Sequence, residues 1–258
     1  MSKVKRYIVC HDLHFPLVHW PTWDAMVELI EDIKPDGFIF AGDQFDNAEI
    51  SHHNANKPLY RGRRSYLKNQ EDFDAKILRP IEELLKGADR RWVIGNHDFW
   101  EYEFVEAHPE LEGLIDRPTA LHLDDRGWDV VPIGHSTKLG DLTVIHGELL
   151  TGIGNQAGMY PSRKAVELYG TNVLAGHTHA PQSFAKVSPV DQKKKYMGWI
   201  APILGQTNAS YLRNRPTAWV NGFSLVEVHP NGNFNLNIII VSEGKFAYAG
   251  KLYGGGKG

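Results

Sequence analysis

Five times along this chain of 258 residues, a short apolar segment runs directly into histidine, aspartate or asparagine. Such apolar segments predict buried strands, and α/β sheets bind ligands at the carboxyl ends of their strands. If the five strands end at one edge, their polar residues meet there. These residues are Asp12 and His14, Asp43, the run Asn96, His97 and Asp98, His146, and the pair His177 and His179.

The residue types at these strand ends suit a metal site. Imidazole and carboxylate groups together bind zinc, manganese, iron, cobalt or nickel. The spacings Asp12-x-His14 and His177-x-His179 suit an extended chain, in which residues i and i+2 point the same way. Each motif can then place two ligands on one ion. A carboxylate such as Asp43 can bridge two ions.

Periodicity along the chain indicates the class of fold. Strand-like and helical segments alternate over the first two thirds, with helices expected at residues 23–33 and 71–85. After residue 181, strand-like stretches recur without helices between them. We therefore predict an α/β protein with a β-rich C-terminal third, a single domain over residues 1–252, and a flexible glycine-rich tail at 253–258.

Composition narrows the class of protein and its location. The net charge of −3 argues against a dedicated nucleic-acid coat, although a local basic patch can still attract nucleic acid. The single cysteine, Cys10, excludes a disulfide within the chain. With no secretory signal pattern and no run of about 20 apolar residues, we expect a cytoplasmic location and no membrane partner. Nothing in the sequence sets the number of subunits.

The polar motifs resemble a known family in content and order. The calcineurin-like metallophosphoesterase superfamily carries D-x-H, GDxxD, GNH[DE], H and GHxH in sequence. This chain has Asp12-Leu13-His14, Gly42-Asp43-Gln44-Phe45-Asp46, Gly95-Asn96-His97-Asp98, His146 and Gly176-His177-Thr178-His179. The resemblance covers residues 4–182 and implies a four-layer α/β/β/α sandwich, in which two mixed sheets are flanked by helices.

The resemblance also implies a role for each motif residue. One metal would be held by Asp12, His14 and His179, and a second by Asn96, His146 and His177, with Asp43 bridging both. His97 would face the scissile phosphate and protonate the leaving oxygen, and Asp98 would orient His97. Asp46 would support the ligands without contacting a metal.

Two divalent transition-metal ions are the cofactors this implies, with manganese favoured and iron, zinc, nickel or cobalt also compatible. Two such cations would polarise the phosphoryl oxygens and would lower the pKa of a bridging water, so that the resulting hydroxide could attack phosphorus in line with the leaving oxygen. The metals offset the negative charge that grows in the transition state.

Two polar insertions are candidates for substrate contacts. Residues 47–69 include His53 and a cationic run, from which we predict substrate-binding roles for His53, Arg61, Arg63 and Arg64. Residues 208–220 include Tyr211, Arg213, Arg215 and Trp219. For both segments a solvated surface loop is the alternative interpretation.

Departures from one branch of the superfamily favour a phosphodiester substrate. Protein serine/threonine phosphatases carry an arginine directly after GDxxD and a glutamate in GNHE, where this chain has Asn47 and Asp98. The GNHD form is more similar to the phosphodiesterase and nuclease branches. We therefore predict a phosphodiesterase acting on nucleic acid or nucleotides. The alternatives are a phosphomonoesterase for small molecules or phosphoproteins, and a non-catalytic scaffold, against which the complete ligand set argues.

Overall fold

The structure, a computed structural model, describes residues 3–57, 65–150, 160–209 and 215–255. Its helices are α1 (Trp20–Ile33), α2 (Tyr66–Phe73), α3 (Arg79–Leu84), α4 (Asn96–Ala107), α5 (Arg117–Ala120) and α6 (Pro161–Tyr169). Its strands are β1 (Lys5–Cys10), β2 (Gly37–Ala41), β3 (Asp89–Val93), β4 (Asp129–Val131), β5 (Thr137–Leu139), β6 (Leu142–Val144), β7 (Asn172–Ala175), β8 (Gln182–Val187), β9 (Lys195–Ile200), β10 (Gly222–Val228), β11 (Phe234–Ile240), β12 (Phe246–Tyr248) and β13 (Lys251–Tyr253).

Two mixed sheets contain most of these strands. The first has the order β11-β10-β1-β2-β3-β4, in which β1 to β4 are parallel and β10 and β11 are antiparallel additions. The second has the order β5-β6-β7-β9-β8, in which β6, β7 and β9 are parallel and the two edge strands are antiparallel. The strands that precede the polar motifs are thus parallel neighbours within each sheet.

Alternation along the strands gives each sheet two buried faces. In β2, Phe38 and Phe40 face a core shared with α1 and the helices α2 and α3, while Ile39 faces the core between the sheets. Val144 and Leu174 of the second sheet fill that inner core. The layers are therefore helices, first sheet, second sheet and helix α6, which confirms the α/β/β/α class expected from the sequence.

Helix boundaries differ from the expected ones in several places, beginning with α1, which was expected at 23–33 and starts at Trp20. The helix expected at 71–85 begins at Tyr66, where the Ser65 hydroxyl accepts a hydrogen bond from the backbone N–H of Lys68, and a π-helical turn (Asp74–Leu78) joins α2 to α3. Helix α4 was not expected, because its apolar residues follow no single stripe and most of its side chains are only partly buried. Asp98 stabilises its start by accepting a hydrogen bond from the Gly95 N–H at 2.9 Å.

The C-terminal hairpin extends beyond the predicted domain boundary. Strand β13 includes Tyr253, whose buried ring stacks on Phe246 and whose hydroxyl donates to Asp32. The backbone N–H of Gly254 donates to Glu28. The predicted tail at 253–258 therefore starts too early, and its residues 256–258 lie outside the described part of the chain. Within that part, no helix is both long and apolar enough to cross a membrane.

Candidate metal centre

Asp12, His14 and His179 form the first cluster of potential ligands. The Nε2 atoms of the two histidines lie 3.3 Å apart, and Asp12 Oδ1 lies 3.3 Å from His179 Nε2. The other Asp12 oxygen accepts a hydrogen bond from the backbone N–H of His177 at 2.9 Å, which fixes the carboxylate. All three side chains of the cluster are buried, and their ligand atoms lie close enough together to share one ion.

The second cluster centres on His146. Its Nε2 lies 2.9 Å from Asn96 Oδ1 and 3.3 Å from Asp43 Oδ2, and its ring packs edge-on against His177. The Nδ1 of His146 faces the backbone carbonyl of Ala41 at 3.4 Å. Because that carbonyl can only accept, it favours the proton on Nδ1 and leaves Nε2 available as a ligand. Asp43, His146 and His177 can together hold a second ion.

The Asp43 carboxylate lies between the two clusters. Its Oδ1 accepts a hydrogen bond from the backbone N–H of His97 at 2.8 Å. Its Oδ2 lies 3.3 Å from His146 Nε2 and 3.8 Å from His14 Nε2, so one oxygen faces a histidine of each cluster. The structure thus brings together all the ligands named from the sequence: Asp12, His14, Asp43, Asn96, His146, His177 and His179.

The backbone at most of these ligands is left-handed, so the expected extended geometry is wrong. The φ angles are 57° at Asp12, 50° at His14, 53° at Asp43, 65° at His177 and 60° at His179. The candidate ligands are therefore brought together by tight turns after the strands rather than by the alternation of side chains along an extended strand. Such angles cost a non-glycine residue about 1–3 kcal/mol and persist only where the surrounding structure holds them. Five of the ten non-glycine residues with positive φ in the described part of the chain are these candidate ligands.

Glycines allow the close approach of these turns. Gly42 has φ +98°, and a Cβ atom at that position would overlap the His146 ring. A Cβ at Gly176 would lie 2.5 Å from Asp12 Oδ2. Any side chain at either position would displace a ligand, which gives a physical reason for the glycine in each motif.

The pKa values in the two clusters follow from burial and from the two carboxylates. Burial lowers the pKa of His14 to about 3 and that of His177 to about 4. Burial also disfavours the charge on Asp43, but His146 and His97 outweigh it and hold the pKa of Asp43 well below its usual value. Neutral imidazole and ionised carboxylate are the protonation states that bind metals.

The pKa of His146 is shifted in the opposite direction to those of His14 and His177, and this shift indicates a position that favours positive charge. Burial disfavours its charge, yet Asp43 and Asp12 outweigh burial and raise the pKa of His146 to about 10. A proton on this ring offsets the two buried negative charges, and a divalent cation can do the same. Asp12 Oδ1 and His179 Nδ1 are buried without a hydrogen-bond partner among the described residues. The donor set therefore fits a metal centre.

His97 stands beside both clusters at the start of α4. Its Nδ1 lies 2.8 Å from the backbone carbonyl of Asp46, which can only accept, so Nδ1 carries the proton of that hydrogen bond. Its Nε2 lies 3.9 Å from Asp43 Oδ2 and therefore faces the clusters. The His97 ring packs edge-on against His14, with centroids 4.7 Å apart.

The carboxylate of Asp98 contacts backbone rather than the His97 ring. It accepts hydrogen bonds from the N–H groups of Gly95 at 2.9 Å, Phe45 at 3.2 Å and Gln44 at 3.4 Å. It can orient His97 only indirectly, by fixing the two motif turns against each other. A role for Asp98 in catalysis stays a prediction in that indirect form.

The candidate substrate contacts in the first insertion are only partly described. Arg61, Arg63 and Arg64 lie outside the described residues, whereas His53 is exposed and its ring lies 5.6 Å from that of Trp100. Tyr66, also in this insertion, is buried against Arg117 and does not line the centre. Asp46 has a carboxylate oxygen 3.8 Å from His14 Nδ1 and 3.9 Å from His97 Nδ1.

A buried arginine behind the centre escaped the sequence analysis. Arg117 is 1 % exposed and donates hydrogen bonds to Asn47 and to Glu101, and it also pairs with Glu49. The Asn47 amide in turn donates to the backbone carbonyl of His97 at 2.9 Å. Arg117 therefore supports His97 through Asn47. Nothing in the sequence around Arg117 indicates this role, because the residue belongs to none of the motifs.

Two tryptophans lie beside the centre: Trp100 was missed, whereas Trp219 was named from the sequence as part of the second insertion. The ring of Trp100 packs on that of His97, with centroids 3.9 Å apart, and the ring of Trp219 packs on His179 at 4.4 Å. Trp100 is three residues after His97 on α4, a spacing that places both on one helix face once the helix is known.

Comparisons with known proteins agree with this geometry. The family model described as calcineurin-like phosphoesterase matches residues 5–181, and the chain therefore belongs to that family, whose members act on phosphoesters and bind divalent metals. The Gene 54 protein of Mycobacterium phage D29 is 23 % identical over 257 residues, which cover 96 % of this chain and 98 % of that protein.

Solved structures of three other proteins are similar to the chain. A predicted phosphoesterase of Streptococcus pneumoniae is 17 % identical, covers 98 % of this chain and 97 % of its own, and has a TM-score of 0.39. Vps29 of Cryptosporidium parvum is 14 % identical, with coverages of 97 % and 95 % and a TM-score of 0.48. The nuclease MPE of Pseudomonas putida is 15 % identical, with coverages of 88 % and 84 % and a TM-score of 0.38.

Proposed function

We propose that this protein is a hydrolase of phosphodiesters that uses two divalent metal ions, with nucleic acid or nucleotides as its substrate class. The observation that carries the proposal is the position of Asp43. One of its oxygens faces a histidine of each ligand cluster, at 3.3 and 3.8 Å. A carboxylate placed in this way is suited to bridge two ions, and paired ions are typical of phosphoester hydrolysis.

The donors support a transition metal without selecting a single one. The clusters offer imidazoles, carboxylates and one amide, a set that suits manganese, iron, zinc, nickel or cobalt. We take manganese for the tests below. When bound, two such ions supply charge neutralisation for the phosphoryl group and activation of water.

His97 is suited to deliver a proton to the leaving oxygen. Its Nδ1–H donates to the Asp46 carbonyl, so the proton that His97 would transfer is the one that the imidazolium form carries on Nε2, the atom that faces the clusters. Asn47 holds the backbone of His97, and Asp43 accepts from its N–H. These contacts fix the ring from both the side chain and the main chain.

The preference for diesters is supported by how Asn47 and Arg117 are arranged. A phosphomonoester is a dianion at neutral pH and benefits from an arginine that grips two of its oxygens, whereas a diester carries one charge. Asn47 is buried and engaged with His97 and Arg117, and Arg117 is 1 % exposed and paired with two glutamates. Neither side chain is available to grip a phosphate.

The direct test compares a bis-aryl phosphate with a mono-aryl phosphate in the presence of Mn²⁺. We expect kcat/KM to be at least about tenfold higher for the diester, a difference of about 1.4 kcal/mol in transition-state binding. A clear preference for the monoester would overturn the diester assignment. Absence of hydrolysis of both esters would favour the scaffold alternative.

A role for the cationic insertion is tested separately. Changing Arg61, Arg63 and Arg64 together to alanine should weaken the hydrolysis of nucleic acid and flatten its salt dependence, because each cation lost removes a phosphate contact. Kinetics on the small bis-aryl phosphate should stay at the wild-type level. Unchanged kinetics on nucleic acid would remove this role and leave the metal chemistry intact.

A further inference from the structure

Aromatic side chains lie next to His97, the proposed proton donor, along one face of α4. His97, Trp100 and Glu103 follow one another at intervals of three residues, a spacing that places them on one side of the helix. The Trp100 ring lies 3.9 Å from the His97 ring, tilted by 36°. On this helix face, the Trp100 ring therefore lies next to His97, on the side away from the ligand clusters.

Two histidines of the first insertion join this surface. The His53 ring lies 5.6 Å from Trp100 at an interplanar angle of 71°, and the His52 ring lies 6.3 Å away at 77°. The two imidazoles themselves are 3.8 Å apart. Both imidazole planes thus stand steeply to the indole plane, and they are tilted by 45° from each other. We call Trp100, His52 and His53 the aromatic notch.

The notch is anchored on both sides. His52 Nδ1 lies 3.3 Å from a carboxylate oxygen of Glu103, which ties the insertion to α4. The Asn54 amide donates to the Ala48 carbonyl at 3.0 Å and closes the turn that carries both histidines. His52 and His53 are exposed and Trp100 is partly exposed, so the notch is accessible as well as held in place.

A flat aromatic ligand suits such a notch. Aromatic side chains bind nucleobases by stacking, and a ring that stands steeply to the stacked one adds an edge contact. Resting on the function proposed above, we infer that the aromatic notch binds the nucleobase of the leaving nucleotide, next to the scissile phosphate. His97 lies between the ligand clusters and Trp100, which places the notch on the leaving-group side.

This assignment restricts the substrate. A base that stacks on Trp100 cannot remain stacked and paired inside a duplex. The preferred substrate is therefore single-stranded nucleic acid or a short oligonucleotide with a base directly beside the cleaved bond. Duplex ends qualify only after local unpairing, which adds an energetic cost.

A simpler role for Trp100 predicts a different result. If the indole only holds the His97 ring, its loss lowers the rate on every diester equally, whether or not a base is present. If the notch binds a base, its loss matters mainly for substrates that carry a base on the leaving side. The ratio of kcat/KM for a substrate with a base on the leaving side to kcat/KM for one without it distinguishes these roles.

The experiment uses two dinucleotides that differ only in the leaving nucleotide, which is intact in one and abasic in the other. With Mn²⁺, kcat/KM is measured for the wild type, Trp100→Ala, Trp100→Phe and His53→Ala. Tyr102→Ala is the matched control, because Tyr102 is a 48 %-exposed aromatic residue of the same helix and stacks on Phe99 instead.

We expect the wild type to prefer the intact dinucleotide by at least tenfold. Trp100→Ala should reduce this ratio to near one, Trp100→Phe should keep most of it, and Tyr102→Ala should leave it unchanged. Equal loss on both dinucleotides in Trp100→Ala, or no base preference in the wild type, overturns the notch alone. Failure to hydrolyse either dinucleotide or the bis-aryl phosphate overturns the proposed function and the notch together.

Discussion

At the scale of single residues, His97 differs from the buried histidines His14 and His146 because its side chain is 22 % exposed while its Nε2 still faces the clusters. Nδ1 is fixed by the Asp46 carbonyl, and Nε2 points towards Asp43 Oδ2. A histidine held in this way can donate a proton without being needed to hold a metal. This separation of tasks is open to direct test.

His97→Ala should keep its metal content and lose rate by about 10²–10⁴-fold, the usual contribution of a general acid. The measurement pairs kcat on the bis-aryl phosphate with elemental analysis of the same sample. His135→Ala, which alters an exposed histidine elsewhere, should match the wild type in both. Loss of metal from His97→Ala would show that His97 is a ligand and that its assigned role is wrong.

The candidate site could largely be named from the sequence because each ligand directly follows its strand. Its local geometry could not, since left-handed turns at Asp12 and His177 leave no trace in spacing alone. The hydrogen bond between Asn47 and Arg117 could not be predicted either, because 70 positions separate the two residues. Contacts of that range depend on how whole elements pack, which no local motif encodes.

At the scale of elements, a buried charge cluster joins the start of α5 to α4 and to the segment after β2. The guanidinium of Arg117 lies between the rings of Phe45 and Tyr66, at 3.8 and 3.9 Å, and pairs with the carboxylates of Glu101 and Glu49. Burial raises the pKa of Glu101 although Arg117 lowers it. The arginine therefore opposes the effect of burial on this carboxyl group, and its loss would raise the pKa of Glu101 further.

Arg117→Ala should destabilise the fold by about 3 kcal/mol, because it leaves buried acidic groups without their counter-charge. Protonation of Glu101 relieves part of the loss and keeps the value at the lower end of the range for broken buried pairs. Urea unfolding monitored by tryptophan fluorescence measures the change. Arg79→Ala is the control, since Arg79 is 71 % exposed and its partner Asp74 keeps its ion pair with Arg126, so the change should shift stability by less than about 0.5 kcal/mol. A loss below about 1 kcal/mol in Arg117→Ala would contradict this role for the cluster.

At the scale of the whole molecule, the centre joins the two sheets. Asp12, His14, Asp43 and Asn96 follow strands of the first sheet, whereas His146, His177 and His179 follow strands of the second. The alternating strands and helices of the first two thirds could be predicted, because buried parallel strands are continuous apolar runs. The last strand, β13, could not, since the chain there is held by hydrogen bonds to Asp32 and Glu28 of the distant helix α1.

Because ligands from both sheets would share the ions, metal should stabilise the entire fold. At a free metal concentration of about 100 times Kd, binding adds about 2.7 kcal/mol, which raises Tm by roughly 5–10 °C in a protein of this size. Thermal unfolding with excess Mn²⁺ and with EDTA measures the shift. Asp43→Asn should lose most of it, and equal Tm values for the wild type under both conditions would contradict a metal site shared between the sheets.

The central claim is a pair of metal ions that share Asp43, and the most direct measurement is metal stoichiometry. The protein is stripped with chelator, reloaded with Mn²⁺, freed of excess ion and analysed for metal against protein concentration. The arrangement of the two clusters predicts close to two equivalents per chain. A saturated value of one or zero would contradict the dinuclear centre.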